Sequence, residues 1–328
     1  MEQINTEKKE FVSNLNTVFV ILTSVKLLMT VVLPFWQRPV RSFLELLGVE
    51  NADEAIKSLS SESDIAGLCF GTALYLLCVS IPVFASFIFR SENEDDGFFV
   101  RMPTAHQAFC AIGTTFFVSY AVTGLLFLLF DNLFAILGYR FSPPVSETPS
   151  SPYLIPLYIV YLCVLPAISE ELLLRGLAMN TLKKCGKGFA VIFSAVLFMM
   201  MHTSPANYIF SFCAGICMGY FSLRFNSLKL GIIIHFFLNL NSAVLRLTEK
   251  YLHTTAGQMA YTLYFIFVAV FALTFFIAFA VVFKFKSLSH SNETPPFQKR
   301  LLLKQPFLYI FIFVFIITSY FGVISMFS

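Results

Sequence analysis

The sequence predicts an all-α fold, a polytopic transmembrane helical bundle of about eight to nine spans, on three observations. Of its 328 residues 57% are hydrophobic and 12% charged, against about 25% charged in an ordinary soluble domain. Apolar runs of about 17–25 residues, the length that crosses a hydrocarbon core, recur between clusters of charge, Pro or Gly. The 41 Phe residues are spread over these runs, as lipid-facing helices permit, because such helices need no polar outer face. A water-soluble globule of this composition is excluded.

Taken in order, the first run (17–36) follows Lys8 and Lys9. Its length and its lack of a small-residue cleavage site identify it as a retained helix rather than a removed leader. The segment Arg38–Ser63 comes next, and its Phe43, Leu44, Leu46 and Leu47 suit an amphipathic interfacial helix as well as a plain surface loop. Runs at 64–89, 108–137 and 152–182 follow, the last two long enough to tilt, kink or break into a span plus an interfacial piece. The remaining runs lie at 188–203, 206–223, 229–246, 259–283 and 305–327. The segments Ser142–Pro152 and Ser287–Pro296 read as solvated linkers or as gates. No transporter-like internal repeat is visible.

Lys and Arg collect in three loops: Lys183, Lys184 and Lys187; Arg224 and Lys229; and Lys284, Lys286, Lys299, Arg300 and Lys304. Alternating spans place all three on one side. The positive-inside rule then sets the N-terminus in the cytoplasm and, for nine spans, the C-terminus outside. The net charge of +3 (22 basic against 19 acidic residues) gives no large basic surface, so nucleic acid is not an expected partner. The seven Cys lie mostly in apolar runs without a C-x-x-C pair and read as small buried hydrophobes.

The chemistry concentrates in Ala167-Ile-Ser-Glu-Glu-Leu-Leu-Leu-Arg-Gly176, which puts three ionisable groups inside an apolar helix. Facing lipid they would cost on the order of 8–10 kcal/mol on insertion scales, so they face protein or water. At about 100° per residue, Glu171 and Arg175 are neighbours one turn apart, whereas Glu170 lies about 140° from Arg175. The spacing pairs Arg175 with Glu171 and leaves Glu170 free to exchange protons. The bland reading is a buried ionic knot between helices.

Two further pairs share helix faces at one-turn spacing: Phe198 with His202, and His235 with Asn239. Alone, each reads as helix packing or polar glue. Together the three motifs supply a free carboxylate, two imidazoles, an amide donor and a braced ion pair, the inventory for hydrolysis by activated water. Depth along the helices fits loosely: about 21 Å from Glu170 to Lys184 and about 22 Å from His202 to Lys187, but about 9 Å from His235 to Lys229.

Glu-Glu-x-x-x-Arg, Phe-x-x-x-His and His-x-x-x-Asn, in that order on three hydrophobic helices, resemble the CAAX-protease and bacteriocin-processing (CPBP, or Abi) family of intramembrane endopeptidases. Arg175-Gly176 and Phe193-Ser-Ala-Val-Leu-Phe198 are also typical of it. The likeness divides the chain into N-terminal helices without a family signal (1–150), a catalytic core (151–248) and two C-terminal helices (249–328). It implies an endopeptidase, similar to CAAX prenyl protease 2, in a bacterial cell membrane. Glu170 and His202 would hold and deprotonate water, His235 and Asn239 would donate to the oxyanion, Glu171 with Arg175 would brace the site or touch substrate, and Phe198 would form its wall.

The expected partners are the lipid bilayer and a peptide or membrane-tethered protein. No cofactor is expected. A zinc ion, if one took part, would fall to Glu170, His202 and His235, although no H-E-x-x-H helix is present and Arg175 disfavours a cation. Two rivals stand beside the peptidase: a catalytically silent immunity or binding protein of the same fold, and a transporter with a Glu/His proton relay.

Overall fold

In the computed structural model, residues 2–28, 37–49, 51–88, 101–136, 147–202, 204, 207–286, 288 and 296–327 are described. Among them every regular element is helical: α1 (Glu2–Leu27), α2 (Gln37–Leu46), α3 (Ala52–Ser60), α4 (65–88), α5 (Ala105–Ile136), α6 (Pro152–Cys185), α7 (Lys187–Met201), α8 (Tyr208–Arg224), α9 (Leu228–Glu249), α10 (Thr255–Phe283), α11 (Pro296–Leu302) and α12 (Pro306–Phe327). Five helices or helix segments (Ile65–Ser86, Ala105–Leu129, α6, α9 and α10) are long and apolar enough to cross a membrane, and α7, α8 and Pro306–Tyr320 are shorter apolar helices. The chain is an integral membrane protein. Of the first expected run, 29–36 lies outside the described residues, as do most of the two expected gating segments.

The helices turn different faces to different surroundings. In α1, Phe11, Leu15, Val18, Phe19 and Leu22 recur at three- and four-residue intervals and are all buried, making the stripe that packs on α12. In α10, by contrast, Leu263, Ile266, Phe267, Val270 and Leu273 are exposed, as expected of a helix that meets lipid on most of its circumference. The segment after α1 forms two short helices. Phe43, Leu46 and Leu47 of that segment stay exposed, and Arg41 pairs with Glu45 at 2.9 Å and with Asp53 at 3.0 Å.

The core gathers round α6, which touches α1, α4, α7, α8 and α9. At 34 residues it is about 50 Å long if straight, longer than a hydrocarbon thickness of about 30 Å. Two wide-turn π segments interrupt it, Val160–Val164 and Leu172–Met179, and Pro166 adds a missing N–H between them. Such bulges often mark functional stretches of helix. Wide turns rise less per residue, so sequence distance along α6 overstates depth. That is why Glu171 and His235 meet although spacing alone put them at different levels.

The three basic loops share one face. Arg224 Nη2 donates to Phe283 O at 3.2 Å, the backbone N–H of Lys286 donates to the Tyr220 hydroxyl at 3.1 Å, and the Lys299 ammonium lies 5.2 Å from the Phe189 ring centre at the start of α7. Ser227 caps α9 on this face, accepting from Leu230 N at 3.2 Å and donating to Arg101 O at 2.7 Å. On the opposite face Ser150 N donates to Ser63 O at 2.9 Å.

Candidate active site

The buried ion pair forms as the helical spacing requires. Arg175 Nη1 lies 2.6 Å from Glu171 Oε1, both side chains fully buried. Arg175 Nη2 donates to Gly215 O of α8 at 3.0 Å, and the guanidinium lies 5.0 Å from the Phe198 ring centre. Two charges removed from water repay their desolvation only where further hydrogen bonds satisfy them. Here the arginine spans two helices and an aromatic face, and Glu171 takes a second donor.

That second donor is His235. Its Nδ1 lies 3.0 Å from the same Glu171 Oε1. A carboxylate paired with arginine only accepts, so Nδ1 carries the proton and Nε2 is left for the reacting side. Nε2 lies 4.0 Å from Glu170 Oε2. Glu171 therefore fixes the tautomer and aim of the imidazole as well as bracing Arg175. The contact requires Gly231 on α9, because a Cβ there would stand 2.8 Å from Glu171 Oε2 and 2.7 Å from Ser222 Oγ.

Glu170 is free of Arg175 but not of partners. The hydroxyl of buried Tyr75 in α4 donates to its Oε1 at 3.0 Å, and one residue earlier Ser169 Oγ shares a 2.7 Å hydrogen bond with Ser80 Oγ. Tyr75 lies in a run that gave no motif, and a lone tyrosine in an apolar helix has no sequence signature. Lys26 of α1 is a second residue that the motifs missed. Fully buried, it donates to the His202 and Met201 carbonyls where α7 ends, satisfying acceptors that a helix terminus leaves orphaned. A lysine inside an apolar run was the signal available for it, because such a charge needs an internal partner.

His202 is the residue just past α7, with extended backbone. Its Nδ1 donates to Phe198 O at 2.9 Å, which again leaves Nε2 available. The Phe198 ring meets His202 and His235 edge-on, at 5.0 and 5.4 Å between ring centres. Asn239 Nδ2 donates to Leu162 O at 3.1 Å, the carbonyl to which Pro166, one α-turn later, has no N–H to offer. One amide proton of Asn239 is thus committed to α6 and the second remains.

His202 and Asn239 line a cavity of 230 Å³ together with Leu162, Asn207, Ser242 and Arg246. Among the described residues, no group of three His, Cys, Asp or Glu side chains is placed to hold a metal ion.

The fold and this site define a class: a membrane-embedded helical bundle with a carboxylate–imidazole centre set between four helices. Comparison with known proteins finds one family model that matches part of the chain. Residues 152–241 match the family described as type II CAAX prenyl endopeptidase Rce1-like. The matched segment holds all three motifs, and the match supports the CAAX-protease resemblance that they carry. No curated protein and no solved structure matches the chain.

Proposed function

We propose that the protein is an intramembrane endopeptidase that cuts a membrane-associated protein or peptide near its end, with water activated by Glu170 and an imidazole. The observation that carries this reading is the ordered chain Arg175–Glu171–His235, which turns Nε2 toward the Glu170 carboxylate across 4.0 Å. One water fits between an acceptor carboxylate and an acceptor imidazole at that spacing, with both groups able to take its proton. The family of the 152–241 segment supports the choice of a peptide bond.

In this mechanism Glu170, held by Tyr75, removes a proton from water while the water attacks the scissile carbonyl. His202 serves as the second acceptor through Nε2. Glu170 passes this proton across to His235 Nε2, and that new N–H, with the remaining Asn239 amide proton, receives the tetrahedral oxyanion. The same proton returns through Glu170 to the leaving amine as the C–N bond breaks. Phe198 packs edge-on against both imidazoles and forms the wall behind them.

The test compares wild type with Glu170→Ala in cells, by peptidomics of the membrane fraction at both peptide ends. Peptides present only with wild type are the expected result. Identical peptide sets, with the cellular phenotype kept by the mutant, reject the enzyme and promote a binding role. Activity of the purified protein that persists in a chelator is the expected outcome for Glu/His catalysis, and loss restored by zinc alone rejects it.

A further inference from the structure

We propose that Ser222 and Glu171 hold one buried water molecule against Gly231, and that through this water Ser222 is a positioning residue for His235. The positioning role rests on the endopeptidase reading above, whereas the water does not.

Glu171 commits only one of its two carboxylate oxygens to the catalytic side. Oε1 takes both Arg175 Nη1 at 2.6 Å and His235 Nδ1 at 3.0 Å. Among the described residues, Glu171 Oε2 and Ser222 Oγ are buried side-chain atoms with no hydrogen-bond partner in the protein, and Arg175 Nε, on the same ion pair, is a third. All three residues are 0% exposed, so bulk solvent does not serve these atoms. A bare carboxylate oxygen inside a protein is costly, and such groups are met by the protein or by ordered water.

Two of these atoms converge on one spot of α9. A Cβ on Gly231 would stand 2.7 Å from Ser222 Oγ and 2.8 Å from Glu171 Oε2, so both oxygens lie against the bare side of this glycine without bonding each other. One water can serve both, giving a proton to the carboxylate and accepting the serine's on a lone pair. The opening exists because residue 231 has no side chain. Its walls are fixed: Ser222 lies two residues before the end of α8, and its carbonyl accepts from the N–H of Ser227 at 2.9 Å, the residue that caps α9. The α8–α9 turn thus sets Ser222 beside Gly231.

Gly231 and His235 are i, i+4 neighbours, so the Glu171 carboxylate spans one turn of α9, with Oε2 at Gly231 and Oε1 at His235. A carboxylate held at one oxygen can turn about its last bond. Held at both, its plane is fixed, and with it the acceptor that selects the His235 tautomer. Losing the Ser222 hydroxyl loosens that plane and removes no hydrogen bond of Glu170, His202 or Asn239.

The test reads the water and the chemistry separately. Full-length wild type and Gly231→Ala are each crystallised from a lipidic mesophase and solved at a resolution that shows ordered water. Wild type is expected to show a peak within hydrogen-bond reach of Ser222 Oγ and Glu171 Oε2, and Gly231→Ala to lack it. No peak in wild type, or Ser222 Oγ bonded directly to Oε2, overturns the water. For the positioning role, a synthetic peptide spanning a Glu170-dependent cleavage site is cut by the protein in liposomes. Ser222→Ala should lower kcat about tenfold with KM within about twofold, the effect of one hydrogen bond at a charged group, and Ser222→Thr, which keeps the hydroxyl, should recover most of the loss. An unchanged kcat in Ser222→Ala, a loss carried by KM, or no recovery in Ser222→Thr overturns the role of Ser222 and leaves the peptidase standing. Where no Glu170-dependent cleavage is found, the peptidase reading falls and the role of Ser222 with it, while the density at Gly231 still decides the water.

Discussion

At the scale of single residues, the site depends on contacts that its motifs do not contain. Tyr75 donates to Glu170 Oε1 from a helix outside the family segment. Hydrogen bonds to a charged group contribute about 1.5–3 kcal/mol, so Tyr75→Phe should lower turnover about tenfold or more while helix content by circular dichroism stays that of wild type. Unchanged turnover would reduce Tyr75 to packing. Gly231 is needed for the opposite reason, since it keeps a methyl group out of the space beside Glu171 Oε2. Gly231→Ala should cost about 1–3 kcal/mol, as other overpacked sites do, seen as a lower midpoint of thermal unfolding in detergent. A midpoint equal to that of wild type would mean that α9 shifts freely, contrary to its packing against α6 and α8.

At the scale of elements, the catalytic helices are aligned by polar bonds that tie them to one another. The Glu171–Arg175 pair links α6 to α8 and α9, and Lys26 links α1 to the end of α7. Removing one member of a buried pair strands the other charge, at about 3–5 kcal/mol. Arg175→Met alone should therefore be recovered poorly from membranes, whereas Glu171→Leu with Arg175→Met should be recovered better than the single change, although inactive. Equal recovery of both would show that the pair adds no more than volume. Lys26→Met should lower turnover more than it lowers the unfolding midpoint, because it frees the carbonyl of the residue that carries the His202 ring.

Much of this level was legible in the sequence. The i, i+4 geometry gave the Glu171–Arg175 pair, and the apolar runs gave eight of the nine expected helices to within a few residues, whereas α1 begins at Glu2, well ahead of the first run, because its polar first turns carry no apolar signal. What was not legible depends on contacts between helices. Asn239 meets Leu162 O, Tyr75 meets Glu170, and His235 meets Glu171 across sequence separations of 77, 95 and 64 residues. No periodicity encodes these pairings. The π segments of α6 were likewise invisible, since a wide turn needs no particular residue.

At the scale of the whole molecule, charge and shape together predict which side the cavity serves. Hydrogen bonds and ring contacts gather the loops at 183–187 and 224–229, residues 283–286 and Lys299 onto one face. Lys26 at the far end of α1 reaches the end of α7, which leaves Lys8 and Lys9 toward that same basic face. Arg246 and Asn207 line the cavity near the ends of helices that begin or finish on the other face. Short loops rich in Lys and Arg stay in the cytoplasm, so the basic face should be internal and the cavity should open away from it. In a variant lacking the seven native cysteines, Lys57→Cys should react with an impermeant maleimide on intact cells, and Lys184→Cys only after lysis. The reverse pattern would put the cavity on the cytoplasmic side. Either pattern fixes the side from which a substrate has to reach the cavity that His202 and Asn239 line.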